Sequence, residues 1–226
     1  MSGISTIDGL NNKLDNELAW RKKELIDLSQ NIKVSNGDTK ITLIRCGIPI
    51  IYAHWEGFVK NSLSYYLEHV SKQNVPFVEL KRNFLGVKLK KEIDDFCGTG
   101  KTKNSIHTKT VELVLENMEN GTSNIPYKNQ IDTKSNLNSA LFKDLMNLVG
   151  VDYSEFETSF NLIDEQLLNM RNNIAHGRVL KSIALDENTY TAINDRVIRM
   201  LENLKEILCE YAEQKNIKFK NKNIHK

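Results

Sequence analysis

Apolar residues recur at steps of three, four and seven over long stretches of this chain, which is the spacing of one face of an α-helix. Only three prolines and eleven glycines occur among the 226 residues, so few positions interrupt such helices. The chain is therefore predicted to be all-α. The first and longest stripe consists of Ile7, Leu10, Leu14, Leu18, Leu25, Leu28 and Ile32.

The first two helices are predicted on either side of a turn signal, Ser35-Asn36-Gly37-Asp38. The second helix runs from about residue 39 to about residue 71. Gly47 and Pro49 lie in its first turns and predict a kink or a later start. Beyond them, a broad face is predicted to be buried and contains Trp55, Phe58, Val59, Leu63, Tyr66, Leu67 and Val70.

Three further helices are predicted in the second half of the chain. A short one spans 139–149 and ends at a left-handed Gly150. The next begins with a capping box of Ser154 and Glu157 and stops at Gly177. The last begins near Asp186. These elements predict an up-and-down bundle of four to five long helices within a single domain, residues 1–213.

Residues 76–130 are predicted to form an irregular insert. The polar stretch 95–109 is typical of a loop, whereas 111–118 fits either a short helix or a buried strand. Residues 98–102 resemble part of a phosphate-binding P-loop. However, Asp95 stands where the first glycine is required and no apolar strand precedes it, so an NTPase is excluded. The basic loop fits either RNA contact or a solvated surface.

Charge, cysteine content and the lack of long apolar runs limit the classes of protein that this chain can belong to. The net charge is only +2, but the predicted disordered tail 214–226 carries five lysines and no acid, which suits either solubility or phosphate binding. Three distant cysteines, the lack of a signal-peptide pattern and the lack of a long apolar run predict a cytoplasmic protein that does not span a membrane. No zinc spacing or other metal motif occurs, so no metal or cofactor is expected.

The most informative motif is Arg171-Asn172-Asn173-Ile174-Ala175-His176 at the end of a predicted helix. Arginine can bind a phosphate through two hydrogen bonds at once, and histidine can exchange a proton near neutral pH. On a regular helix the two side chains would point about 140° apart, yet both lie in the last turns, where they can converge on one ligand. Arg171 and His176 also suit the negative end of a helix dipole without any catalysis.

The pattern R-x4-H resembles the active-site motif of the HEPN superfamily (higher eukaryotes and prokaryotes nucleotide-binding), most closely its RNase branch. Tyr52-Ala53-His54-Trp55-Glu56-Gly57-Phe58-Val59-Lys60 is similar to the signature YAxWEGFVK of a bacterial HEPN group. Later landmarks are similar at 135–137, Gly150 and 163–177. The resemblance runs from about Asp15 to about Tyr211 and is poor over 76–130.

This resemblance implies a HEPN-like helical fold and a metal-independent endoribonuclease. It also implies a homodimer with a composite active site between the protomers. Many members of the superfamily are toxins or phage-defence effectors, so an RNA substrate and an antitoxin or defence-system partner are expected. The alternatives are a non-catalytic HEPN-like module that binds RNA, nucleotides or a partner, and a helical scaffold with an inert motif.

Roles for the candidate site residues follow from their chemistry and from the resemblance. Arg171 and His176 are expected to be catalytic, and Asn172 to orient the histidine or the phosphate. Glu56 is expected either to hold Arg171 or His176 in place or to form a surface pair with Lys60, four residues later. Lys60 and Arg178 are candidates for RNA binding, and Arg178 also fits a plain surface residue. Three neighbours of Glu56 are expected to be structural, His54, Tyr52 and Trp55, the last two as core or interface residues.

Overall fold

Three long helices form the body of the protein. The computed structural model describes residues 4–97, 103–178, 185–213 and 217–218. Helices α1 (Ile7–Val34), α2 (Gly37–Ser71) and α7 (Glu187–Glu213) each pack against the other two. The predicted first and last helices are confirmed, and the stripe on α1 supplies fully buried residues to the core: Leu10, Leu14, Leu25 and Ile32.

Helix α2 continues without interruption through Gly47 and Pro49, so the later start that these two residues predicted is wrong. Gly47 is required there because a Cβ atom would lie 2.5 Å from Cε2 of the buried Tyr190 on α7. The glycine therefore allows α2 and α7 to approach closely. Pro49 removes one N–H, the usual partner of the Arg45 carbonyl, but packing along the helix outweighs that local loss.

The predicted irregular insert contains two helices, α3 (Arg82–Cys97) and α4 (Lys103–Asn120), which pack against each other. The prediction of a loop over 95–109 was wrong where the structure describes this stretch, and 111–118 is helical. Residues 98–102, the P-loop-like segment, lie outside the described residues. Helix α3 escaped detection because its apolar face is narrow: it buries only Phe84, Leu85, Val87 and Leu89.

Two glycines end helices as predicted. Helix α5 (Ser139–Leu148) is followed by Gly150 at φ +69°, and the Val151 N–H donates to the Met146 carbonyl at 3.0 Å. Gly177, at φ +68°, ends helix α6 (Met170–Ala175). Left-handed glycines of this kind close the Schellman motif, which satisfies the last carbonyls of a helix.

The helix that leads to the Arg171 motif is irregular, unlike the prediction. It begins as a 3₁₀ helix, Ser154–Ser159, widens into a π-helix, Leu162–Asn169, and becomes α-helical only at Met170. The predicted capping box is also wrong, because the Ser154 hydroxyl donates to Asp152 at 2.8 Å. The π-helix changes the register between the apolar stripe and the motif, a distortion that is frequent at functional sites.

The described residues make the protein all-α, as predicted: they contain helices, and their only β-type pairings are two isolated bridges. One bridge involves the predicted disordered tail. Lys218 forms that bridge with Leu80, and the neighbouring Ile217 is buried, its carbonyl accepting from the Lys81 N–H at 2.9 Å. These two tail residues therefore pack on the fold. Within the described ranges, no helix combines the length and apolar character needed to cross a membrane.

Candidate functional site

His176 is the residue on which helix α6 ends. Its backbone has left the helical conformation, at φ −87° and ψ 13°, so the angle expected for a regular helix does not apply. The turn beyond it is fixed by bonds from the Gly177 N–H to the Ile174 carbonyl, 3.0 Å, and from the Arg178 N–H to the Asn173 carbonyl, 2.9 Å. The imidazole is exposed and, among the residues that the structure describes, has no hydrogen bond or ion pair. A rigid turn thus presents a free histidine.

Arg171 is half-buried, one turn before His176, and is held by three neighbours. Its guanidinium lies over the Tyr52 ring, 5.0 Å from the centroid, and donates to Asn172 Oδ1 at 2.7 Å. A longer contact of 3.5 Å reaches the Ser135 carbonyl. Within the described part of the chain it forms no ion pair with a carboxylate. The arginine is therefore positioned but keeps its charge available for an anion.

Tyr52 links Arg171 to a polar network on α2. Its hydroxyl accepts from the Leu137 N–H at 2.6 Å and donates to Glu56, one turn along the same helix. The other side of that carboxylate accepts from the Thr133 hydroxyl at 2.6 Å. Burial, reinforced by the nearby Glu56 charge, raises the pKa of Tyr52 well above its ordinary value. The tyrosine therefore stays neutral and can serve as a fixed platform.

The same network fixes the segment 131–138, which passes beside Arg171. Ile131 and Thr133 are buried, and Leu137 is bonded to Tyr52. At the end of the segment, the Ser139 N–H and hydroxyl both donate to Asp164 of the π-helix, at 2.7 and 2.6 Å. Helix α2 and the π-helix thus clamp this segment from two sides.

The predicted site residues are distributed unevenly. Arg171, Asn172 and His176 lie within the last turns of one helix, and Asn172 orients Arg171 rather than His176. Glu56 contacts Arg171 only through Tyr52, and the ion pairs of the described residues include none between Glu56 and Lys60. Lys60 is exposed on α2, two turns from Tyr52.

Arg178 is exposed, and its guanidinium makes a long contact of 3.4 Å with Asn173 Oδ1. Its carbonyl accepts from the Arg45 guanidinium of α2 at 2.6 Å. The turn that carries His176 is therefore anchored to α2 by an arginine.

Sequence reasoning missed four members of this arrangement. Tyr52 was assigned to the core or an interface, which its 2% exposure fits, but its ring and hydroxyl also build the site. Its spacing of four residues from Glu56 was the available signal, because such residues share one helix face. Arg45, Thr133 and Ser135 carried no comparable signal, since only the folded chain brings them to their partners Arg178, Glu56 and Arg171.

His54 is structural, as predicted. It is buried, its Nε2 lies 3.2 Å from Glu24 of α1, and its ring meets Trp20 edge-on. Trp55 is also buried and packs among Phe142 and Phe156 in the core. Over the described ranges, no group of three or more His, Cys, Asp or Glu side chains is arranged to hold a metal ion.

Comparison with known proteins gives one family. The model of the RiboL-PSP-HEPN family matches residues 16–210, which is most of the chain and includes α2, the insert and the Arg171–His176 motif. No curated protein and no solved structure matches the chain. The family match extends across residues 76–130, where the sequence motifs had carried no resemblance.

Proposed function

The chain belongs to the RiboL-PSP-HEPN family, and from this premise we propose that it is an endoribonuclease that cuts RNA without a metal ion. Membership of the family indicates a nuclease-type or RNA-related role. One observation carries the finer proposal: Arg171 is held on Tyr52 and Asn172 with no carboxylate partner among the described residues, and an exposed His176 follows five residues later at the end of the same helix. A positioned cation and an imidazole without a partner among those residues, at one helix end, suit a phosphodiester.

The proposed reaction uses the nucleophile that RNA itself supplies. Neutral His176 removes the proton of the 2′-OH, whose oxygen forms a bond to the adjacent phosphorus as the bond to the 5′-oxygen breaks. A protonated histidine gives its proton to that leaving oxygen. The products are a 2′,3′-cyclic phosphate and a 5′-OH end. Arg171 stabilises the charge that develops on the phosphate, which is commonly the largest contribution in such reactions.

One histidine cannot be base and acid in the same step, which favours a site built from two protomers. The proposed homodimer places two helix ends face to face, so that each phosphate meets His176 of one chain and His176 of the other. A two-fold interface of this kind is self-complementary. Asn172 then orients Arg171, and Glu56 acts on Arg171 indirectly, because it holds Tyr52, on which the guanidinium lies.

The test is cleavage of total cellular RNA in EDTA by the full-length protein. We expect the wild type to cut and to leave cyclic-phosphate ends. His176→Ala should lower the rate about 10² to 10⁴-fold, and Arg171→Ala about 10² to 10³-fold. Arg199→Ala on α7 is the matched control for Arg171→Ala, because its side chain is also a cation, is exposed and belongs to another helix.

Each result has a separate meaning. Equal cutting by wild type and His176→Ala would overturn the assignment of the base. RNA binding by a wild type that never cuts would indicate a non-catalytic RNA-binding module instead. Mixing wild-type with His176→Ala subunits tests the composite site: activity should fall with the square of the wild-type fraction if one cleavage needs both histidines, and in proportion to that fraction if each protomer cuts alone.

The proposed biological setting is a toxin or phage-defence effector restrained by a partner protein. An uncontrolled endoribonuclease damages the cell that makes it, so expression of the wild type should arrest growth. Expression of Arg171→Ala or His176→Ala to the same level should not. Growth arrest by both variants at equal level would separate toxicity from RNA cleavage.

A further inference from the structure

A groove in the insert has no role in the proposed reaction so far. It lies between α3 and the loop 124–130 and has a volume of about 500 Å³, within the range of sites that bind small organic groups. Buried Val87 and Ile125 contribute apolar surface to its lining. Tyr127, half-buried, lies at its wall.

The groove is positively charged and its charges are unused. Lys88, Lys91 and Lys128 line it, with Glu92 as the carboxylate of the described lining. Lys91 and Lys128 are exposed and Lys88 is half-buried. None of the three ammonium groups has an ion pair or hydrogen bond among the described residues. Unpaired lysines beside an aromatic ring and an apolar floor are the features that bind single-stranded nucleic acid, by phosphate contact and base stacking.

The groove is joined to the Arg171 site by a short, fixed piece of chain. Gln130 lines the groove, and Ser135, five residues later, contributes the carbonyl that faces Arg171. Five residues span at most about 18 Å, which a few nucleotides can bridge. Because Thr133 and Leu137 are bonded to Glu56 and Tyr52, the spacing between groove and Arg171 is set by α2.

We infer that this groove binds a single-stranded segment of the RNA substrate next to the scissile phosphate. Lys88, Lys91 and Lys128 contact phosphates, and one base stacks on Tyr127. This inference rests on the proposed function for the identity of the strand, but not on the chemistry of cleavage. It assigns to the insert the selection of unpaired RNA.

The experiment measures binding of a fluorescent, fully 2′-O-methylated oligoribonucleotide to the full-length protein over a range of salt concentrations. The methyl groups remove the nucleophile, so binding is read without cleavage. The groove variant carries Lys88→Gln, Lys91→Gln and Lys128→Gln. The matched control carries Lys13→Gln, Lys23→Gln and Lys33→Gln, three exposed lysines of α1 without ion pairs among the described residues. Both variants lose the same charge.

We expect the slope of log Kd against log salt to become shallower by about two in the groove variant and to stay unchanged in the control, since each single-strand phosphate contact contributes about 0.7. Tyr127→Leu should weaken binding roughly tenfold, whereas Tyr127→Phe, which keeps the ring, should not. Circular dichroism of each variant establishes that it is folded.

Equal slopes for the groove variant and the control would overturn the inference, and so would equal Kd values for Tyr127→Leu and Tyr127→Phe. These outcomes are separable from the proposed function. If the wild type cuts unmodified RNA but the slopes are equal, the proposed nuclease activity stands and the proposed role of the groove is wrong. If the slope depends on the groove lysines but the wild type never cuts RNA, the role of the groove stands and the proposed nuclease activity is wrong.

Discussion

Helix α2 takes part in two clusters that contain the same residue types and have different properties. In the first, Arg21 of α1 lies over Trp20 at 4.3 Å, bonds Glu17 at 2.9 Å and is 5% exposed, next to the buried His54. In the second, Arg171 lies over Tyr52 at 5.0 Å, half-buried, next to the exposed His176.

The difference lies in the carboxylates. Glu17 pairs with Arg21, and Glu24 lies 3.2 Å from His54 Nε2, so each basic side chain of the first cluster faces a carboxylate. In the second, Glu56 of α2 bonds Tyr52 and Thr133 and forms no ion pair with Arg171 among the described residues. An arginine and a histidine near each other therefore indicate a site only when no acid of the fold already satisfies them.

The strongest test of this comparison replaces each arginine by alanine. Arg21→Ala should lower the free energy of unfolding by about 3 kcal/mol, because a half-buried Glu17 loses its cation. Asn61 and Tyr65 still donate to Glu17, so the loss of stability should lie near the lower end of the range for a broken buried ion pair. Arg171→Ala should cost about 1 kcal/mol or less, the value of an exposed cation–π contact. Urea unfolding at one protein concentration measures both.

Equal losses for the two variants would remove the distinction between a structural and a functional arginine. Arg21→Lys sharpens the result, because it restores the charge without the two-nitrogen bond to Glu17. We expect its stability to lie between those of wild type and Arg21→Ala.

A second test concerns the platform beneath Arg171. Tyr52→Phe keeps the ring but leaves the buried Leu137 N–H without a partner, at a cost of about 1 to 2 kcal/mol, while Glu56 still accepts from Thr133. RNA cleavage should fall less than in Arg171→Ala, since the cation still has its ring. Tyr66→Phe is the matched control: its buried hydroxyl has no hydrogen-bond partner among the described residues, so its loss should cost nothing.

Wild-type stability for Tyr52→Phe would show that the segment 131–138 is held by other contacts. A loss of cleavage as large as that of Arg171→Ala would show instead that the hydroxyl, not the ring, positions the arginine. Thermal unfolding and the initial rate of RNA cleavage, measured on the same preparations, separate the two results.

The same two clusters show what could be predicted from this sequence. Local patterns sufficed for α1, α7 and the turns at Gly150 and Gly177, because a continuous apolar stripe or a left-handed glycine is a property of neighbouring residues. The motif Arg171–His176 was found in the same way. Helix α3 was missed and α4 was left open between a short helix and a strand, since their narrow apolar faces form helices only against the rest of the fold.

Contacts between distant residues were also beyond reach. Nothing near Tyr52 in the sequence indicates that its hydroxyl meets Leu137, 85 residues later. The π-helix is a similar case, because its sequence fits a regular helix, and its Asp164 accepts from Ser139 of α5, a contact between segments 25 residues apart. The conformation of a functional site thus depends on packing that local periodicity does not encode.

The smallest expected effect is the pH dependence that His54 gives to stability. Burial lowers the pKa of His54 below its ordinary 6.5, Arg21 lowers it further, and Glu24 opposes both. The unfolded chain therefore binds a proton more readily than the folded one. Stability is fully present above pH 6.5 and is lost as the pH falls through the lower pKa of the folded state, by at most about 1.4 kcal/mol per pH unit.

His54→Gln should flatten this dependence, measured by urea unfolding between pH 7.5 and 5. Burial also lowers the pKa of His69, so His69→Gln is needed to subtract a second contribution of the same sign. Glu24→Gln removes the charge that favours protonated His54 and should make the loss on acidification steeper. If Glu24→Gln instead flattens the curve, His54 is protonated in the folded protein. The first cluster then contains a charged histidine, and the contrast with Arg171 and His176 no longer holds.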